Sequence, residues 1–374
     1  MSFSFGFTED ISDDEQTTAI QQSTEQISGP FVNPLDVPNP QTKPAHLESL
    51  QTLLQSLKDI RVTFESYVTP SQNTVFRREL YDVKHQLMNE DTVDQSNNNN
   101  DTANDAEDQL LLTQQSSDLT RNVYEGGFKS WECSIDTVDK LAQYQDSQLF
   151  SNKGDVIELG CGTSLPSTYL FRRALLAKIE GLKFILSDYN ASVLRLVTLP
   201  NLIITWASTL PIDKLVALQR SNQNKDIPLI DDELQFTEAL LQEFYADLQT
   251  RAIDIVLISG GWSRDFVNIY KSVTSENPFG VVISSETIYA PETLPILTEL
   301  LVELFQINTV QRNCLQGLGF IAAKDIYFGV GGSLVEFEQN LKNVMQRENV
   351  QNWTFETIKV KAGLQRSIVL IGSN

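Results

Sequence analysis

The sequence predicts an α/β fold built on a doubly wound, mostly parallel sheet, and three observations carry that expectation. Short apolar runs rich in Ile, Val and Leu recur from residue 156 onward: "VIELG", "KFILSD", "IDIVLISG" and "GVVISSE". Such runs suit parallel strands covered on both faces. Helical patterns lie between them, and strand–helix alternation of this kind belongs to a parallel sheet wrapped by helices. A glycine turn, Gly160 and Gly162, follows the first run. Open α/β sheets bind ligands just there, beyond the carboxyl ends of their strands.

The elements follow in chain order. Residues 1–45 mix Gln, Ser, Thr, Asp and Pro, as in "NPLDVPNPQTKP", and cannot bury enough apolar surface to offset chain entropy; they are expected to form a disordered acidic tail. Leu50, Leu53, Leu54 and Leu57 fall at helical spacing and predict an amphipathic helix from Leu47 to about Tyr67. "RRELYDVKHQLM" (Arg77–Met88) carries two patterns. Tyr81, Val83, His85 and Leu87 alternate as in a strand, whereas Phe76, Leu80, Val83 and Leu87 fit a helix; the strand is preferred. Asn89–Gln109 is low in complexity and expected to be a loop. These segments make an extension over 46–118, and the globular domain is expected over 119–374.

Within that domain, helices are expected over Ser167–Ile179, Ala191–Leu199, Asp231–Leu248, Pro291–Phe305 and Ser333–Arg347. The last stretches, "FIAAKDIYFGV", "WTFETIKVKAG" and "LQRSIVLIG", have less helix between them. They read as closing strands with an antiparallel hairpin at the sheet edge.

Composition removes several functions. The net charge is −21, and residues 1–120 hold 20 acids against 6 bases. An acidic chain lacks the basic footprint of a nucleic-acid binder, and suits a basic protein partner. No stretch approaches the roughly 20 apolar residues of a membrane span. The N-terminus "MSFSFGFTEDISDDE" has neither a basic region nor an apolar one and does not read as a secretory signal. Cys133, Cys161 and Cys314 are scattered, far from His46 and His85. That excludes a structural zinc site and a Cys–His nucleophile pair; the cysteines read as packing residues.

Five constellations carry chemistry. In "VIELGCGTSLP" (Val156–Pro166), Gly160 and Gly162 allow a tight turn close to a ligand. A dinucleotide fold would place a third glycine at 165, where this chain has Leu165, and a P-loop would need Gly-Lys-Ser/Thr. Glu158, just before the turn, repels phosphate and suits a cationic ligand. In "LSDYN", Asp188 lies 26 residues beyond Gly162, as expected of an acid that accepts from ribose hydroxyls; Tyr189 and Asn190 adjoin it. "ISGGW" places Ser259, Gly260 and Trp262 at a strand end where a planar ring could lie against the backbone. "SSETIYAPETL" brings Ser285, Glu286 and Tyr289 to another strand end. There an acid and a phenol can grip a planar nitrogen nucleophile. "EGGFKSWEC" supplies a glycine lip with Trp131 and Glu132.

Together these stretches resemble the seven-β-strand S-adenosylmethionine-dependent methyltransferases. "VIELGCGTSLP" is similar to their first motif, "LSDYN" to the acid of the second strand, and "SETIY" to the D/E-x-x-Y motif of protein-methylating members. "YEGGFKSWEC", "LISGGW", "SSETIYAP" and "KDIYFGVGGS" resemble the histidine protein methyltransferases within that group. The resemblance is dense from Asn122 to Ile371 and departs at Gly261, where other members usually have an acid or a large residue. It implies a Rossmann-like sheet of seven strands with S-adenosylmethionine as cofactor. It further implies transfer to a histidine of a large-subunit ribosomal protein, L3, by a monomer of the cytoplasm and nucleus that uses no metal. Cofactor contacts are expected from Trp131, Glu132, Glu158, Gly160, Gly162, Asp188, Tyr189, Asn190, Ser259, Gly260, Trp262 and Ser285. Glu286 is expected to accept from the ring N–H of the target, with Tyr289 shaping the wall. A lysine methyltransferase on the same fold is the alternative.

Overall fold

The computed structural model describes residues 31–97, 126–150, 154–220, 229–275, 280–310, 317–327, 331–351, 353–360 and 365–373. Clustering of contacts separates Met1–Val32 from a unit of Asn33–Asn374. The first unit, apart from exposed Phe31 and Val32, lies outside the described residues, and so does most of the expected tail.

The strands, in chain order, are β1 (His46–Glu48), β2 (Arg61–Val68), β3 (Thr74–Arg78), β4 (Val156–Leu159), β5 (Lys183–Asp188), β6 (Glu233–Gln235), β7 (Asp254–Ser259), β8 (Val281–Ser285), β9 (Leu318–Lys324), β10 (Trp353–Val360) and β11 (Arg366–Ser373). The main sheet runs β1-β7-β5-β4-β8-β9-β11-β10. From β7 to β9 every pairing is parallel, and β11 runs antiparallel between β9 and β10. The seven expected strands and their edge hairpin are all present. An eighth, β1, was not anticipated: it pairs antiparallel with β7, setting His46 opposite Ser259.

The parallel strands read as unbroken apolar runs because both faces are covered. Along β4, Val156 joins one core while Ile157 and Leu159 join the other. Along β5, Phe184 and Leu186 face the first core and Ile185 the second. Each fully buried aliphatic or aromatic side chain contributes roughly 1.5–3 kcal/mol.

The principal helices are α1 (Leu50–Ser56), α2 (Leu80–Asn97), α3 (Glu132–Leu141), α4 (Leu165–Ala177), α5 (Leu199–Ala207), α6 (Ile212–Gln219), α7 (Glu238–Thr250), α8 (Arg264–Val273), α9 (Leu294–Val310) and α10 (Leu334–Arg347). Several starts are set by local chemistry. Thr237, Ser263 and Ser333 each accept a backbone N–H of the first turn of α7, α8 and α10. Pro166 sits in the first turn of α4, where its fixed φ is already helical.

The N-terminal third differs from expectation in three places. The helix expected over Leu47–Tyr67 is cut short at Ser56; Asp59 turns with φ +65°, and the chain continues as β2. The strand preferred for Arg77–Met88 gives way to β3 followed by α2. The helical pattern wins because Val83 and Leu87 are fully buried while Tyr81 is 66% exposed. Arg78 reinforces it by donating to Asp82 and Gln86, one and two turns on. Helix α2 also runs through residues 89–97 of the expected loop, whose remainder lies outside the described residues. Farther along, the helix expected over Asp231–Leu248 begins only at Glu238; Glu233–Gln235 ahead of it form β6, which pairs with β2 to build a small sheet β3-β2-β6.

Candidate active site

The turn after β4 is held in shape by its neighbours. Gly160, Gly162 and Ser164 adopt φ of +62°, +50° and +53°, conformations that glycine reaches without a Cβ penalty. A β-carbon at Gly162 would stand 3.0 Å from the carbonyl oxygen of Gly127, so the expected glycine lip crosses the turn at contact distance. The Gly162 N–H donates to Asp188 Oδ2 at 2.9 Å, and its carbonyl accepts from Thr198 Oγ1 at 2.6 Å. Thr198 closes a π-helical turn, Leu194–Thr198, between β5 and α5. Asn201, the third residue of α5, donates to the Thr163 carbonyl at 2.8 Å and accepts the Arg78 N–H at 2.7 Å. The N-terminal extension thereby braces the turn.

Glu158 is 1% exposed. Its Oε2 accepts from Ser164 Oγ at 3.0 Å and from the Ser167 N–H at 3.1 Å, at the start of α4. Burial raises its carboxyl to about 7, against the lowering effect of those bonds and with a smaller push from Asp188. Asp188 ends β5 at 6% exposure and also accepts the Asn190 N–H at 3.1 Å. Asn190 is buried at the N-cap of the next helical turn but makes no side-chain capping bond. The Cys161 thiol is raised by burial first and by the nearby carboxylates second, which fits a packing role.

The glycines after β7 meet the chain itself. Residues 33–45, expected in the tail, are packed here as a strap. Leu35 is buried in the second core, and Asp36 accepts from Arg264 Nε at 2.6 Å. Lys43 donates its N–H to the Tyr189 hydroxyl at 3.2 Å and accepts from the Gly261 N–H at 2.9 Å. A β-carbon at Gly260 (φ +96°) would come within 2.2 Å of the Pro44 carbonyl oxygen, and one at Gly261 within 2.1 Å of Thr42 Cγ2. The departure at Gly261 therefore makes room for Thr42. Ser259 donates to Glu48 Oε1 at 2.5 Å and is spent on β1.

Glu286 follows β8 with φ +60°, a strained conformation for a non-glycine residue, and its N–H donates to the Ala322 carbonyl at 2.9 Å. It is 9% exposed. Its Oε2 accepts from the Tyr327 hydroxyl at 2.7 Å, whereas Oε1 is buried without a hydrogen-bond partner. Burial and this carboxylate raise the phenol of Tyr327 and the thiol of Cys133. Tyr289 meets Tyr327 edge to face, with ring centroids 6.4 Å apart. Sequence reasoning missed Tyr327, although "KDIYFGVGGS" contains it. The signal was a phenol three residues beyond the end of β9 on the binding side of the sheet.

These groups surround a cavity of about 1030 Å³, at the upper end of the roughly 300–1,000 Å³ found for ligand pockets. Its lining includes Trp131, Glu158, Gly160, Gly162, Asp188, Tyr189, Gly260, Trp262, Ser285, Glu286 and Tyr289, together with the strap from Pro34 to Pro44. Asn190 and Ser259 are not on that wall: Asn190 is fully buried, and Ser259 is bonded to Glu48. Glu132 is not on it either: its half-exposed carboxylate points to Lys324 Nζ, 3.8 Å away. The lining suits a sulfonium cofactor, since the carboxylates of Asp188 and Glu286, with Glu158 partly ionised at neutral pH, favour a cation over a pyrophosphate. Among the described residues, no helix is long and apolar enough to cross a membrane.

Sheet order, glycine turn and acid-lined cavity at the strand ends define a class I S-adenosylmethionine-dependent methyltransferase. No family model matches the chain. It is 45% identical over 388 aligned positions to histidine protein methyltransferase 1 of Saccharomyces cerevisiae, spanning 100% of this chain and 99% of that protein. Against histidine protein methyltransferase 1 of Schizosaccharomyces pombe it is 34% identical over 277 positions, 74% of this chain and 71% of the relative. A solved rRNA methyltransferase of Streptomyces viridochromogenes overlaps only loosely, at 14% identity and a TM-score of 0.34, over 70% of this chain and 93% of that one. The chain belongs to the histidine protein methyltransferases, enzymes that transfer a methyl group from S-adenosylmethionine to a protein histidine.

Proposed function

We propose that the target is a histidine of a large-subunit ribosomal protein, L3, and that Glu286 accepts a hydrogen bond from the target ring. The observation that carries the second half is Glu286 Oε1, a buried carboxylate oxygen without a hydrogen-bond partner on a residue of the cavity wall. An unsatisfied buried acceptor costs about 1–3 kcal/mol and persists where something else will satisfy it. An imidazole N–H is a fitting donor. With a pKa near ~6.5, the ring is mostly neutral at pH 7 and presents a lone pair on its other nitrogen, so no strong base is needed. Glu286 would fix the tautomer and balance the positive charge that develops on the ring. Tyr289 would form the wall beside it.

S-adenosylmethionine supplies an electrophilic methyl group on a positive sulfur. Asp188, whose carboxylate is oriented by the N–H groups of Gly162 and Asn190, is assigned to the ribose hydroxyls. Trp262, Tyr189, Trp131, Ser285, Glu158, Gly160 and Gly162 line the same cavity. The choice of L3 is supported by the sequence resemblance to the fungal enzymes and by a net charge of −21, which suits a basic partner. A monomer acting in cytoplasm and nucleus belongs to the same reading. Incubation of the enzyme with labelled donor and L3, followed by mapping of the label, tests it. One labelled histidine on L3 is the expected result; label on another protein, or on a lysine, overturns it.

A further inference from the structure

Lys324 ends β9 beside the acid of the proposed ring grip. Its Nζ lies 3.7 Å from Glu286 Oε1 and 3.8 Å from Glu132 Oε2. The ammonium also stands 5.0 Å from the centroid of the Trp131 ring and 5.9 Å from that of Tyr327. Two acids and two aromatic rings thus hold it in one place. At 3.7 Å the lysine is an ion-pair partner of Oε1 and not a hydrogen-bond donor to it. It balances the carboxylate charge while leaving that oxygen able to accept.

We propose that Lys324 is a specificity-determining residue, one that reserves Glu286 for a neutral N–H donor and turns away a substrate ammonium. The proposal rests on the reading of Glu286 as the acceptor for the target ring. A carboxylate on the wall of a methyl-transfer site would otherwise attract lysine, which is an ammonium at pH 7 with a pKa near ~10.4. Any group bonded to Oε1 must come within a few ångströms of Lys324. A substrate ammonium brings its whole charge into that space before reaction and meets a like charge held there. A neutral imidazole meets none. Charge develops on the imidazole only as the N–C bond forms and the C–S bond breaks. By then the ring N–H is in direct hydrogen bond with the carboxylate, and that proton is afterwards shed to solvent.

The test compares wild-type enzyme with Lys324→Met and Lys324→Arg on two substrates. One is L3; the other is L3 with its labelled histidine replaced by lysine. Calorimetry in the presence of S-adenosylhomocysteine reads affinity, and labelled donor reads kcat/KM. Lys324→Met should bind the lysine-bearing L3 at least roughly tenfold more tightly than wild type, with the histidine-to-lysine rate ratio narrowing by a similar factor. Lys324→Arg, which keeps the charge, should retain wild-type discrimination. Unchanged affinity and ratio in Lys324→Met, or lost discrimination in Lys324→Arg, overturns the proposal. Should Lys324→Met melt early, Lys324→Gln replaces it under the same criteria. Glu286→Gln on histidine-bearing L3 separates the two failures. Undiminished turnover there removes the ring grip itself, whereas slow turnover with unchanged selectivity in Lys324→Met removes only the role of Lys324.

Discussion

Gly261 shows how one missing side chain is used by a distant part of the chain. Its φ is not left-handed, so an alanine there is strained only by what it touches, the methyl group of Thr42 at 2.1 Å. Gly261→Ala should therefore displace the strap and weaken S-adenosylmethionine binding several-fold, and Thr42→Gly in the same chain should restore most of the loss. Calorimetry on the two single variants and the double variant checks this coupling; additive losses would contradict it. Glu158 offers a second test, set by its titration. Its folded value of about 7 lies above the ordinary carboxyl value of 4.5. The native state thus keeps a proton that the unfolded chain releases, and stability falls as pH rises from about 4.5 through about 7. Glu158→Gln retains an acceptor for Ser164 and Ser167 and has nothing to ionise. Its gain over wild type should be small near pH ~5 and grow to about 3 kcal/mol by pH ~8. Denaturant unfolding at both values reads the difference, and a gain independent of pH would refute the assignment.

The elements that sequence reasoning recovered are those whose signal is burial. Strands β4, β5, β7 and β8 are apolar on both faces because helices cover both, and that pattern survives without knowledge of any partner. The strap was not legible for the opposite reason. Its grip is made largely by backbone atoms, the Lys43 N–H and carbonyl and the Pro44 carbonyl, which composition does not encode. Its one buried residue, Leu35, anchors it in the second core, with half-buried Ala45 against the same core. Leu35→Ala should cost about 2–5 kcal/mol if the strap stayed folded with the core. The strap can detach instead, so the measured global loss should fall short of that range. Limited proteolysis should then cut within 33–45 faster than in wild type, and cofactor affinity should fall while kcat at saturating donor changes little. Protection equal to wild type would mean the strap is held by something other than Leu35. Glu132 lies off the cavity wall through helix phase. It opens α3 on the solvent side, while Trp131 and Ser134 face the cavity.

For the whole molecule, the sheet order decides where chemistry can happen. Strand β4 lies between β5 and β8, so the connections from β4 and β8 leave toward opposite faces and a crevice opens between them. Glu158, Asp188 and Glu286 all stand at strand ends along that crevice, and this much of the site was readable from motif spacing alone. What spacing could not give is the partner of Glu286, because Tyr327 lies 41 positions away in the chain. The same three acids are among those that give the chain its net charge of −21. Two ligands then approach one acidic surface under different conditions. The small cationic donor enters a cavity where its neighbours are largely buried, and salt screens buried pairs weakly. A basic protein target of the kind proposed would be drawn by solvent-exposed acids, where the Debye length shrinks from about 14 Å to about 6 Å between roughly 50 and 300 mM salt. Raising salt over that range should lower kcat/KM for the protein target several-fold and move the KM for S-adenosylmethionine less than about twofold. Initial rates at fixed ionic strengths measure both. Equal salt dependence for the two ligands would mean that the target is held by apolar contacts, and that the acidity of the surface serves only solubility.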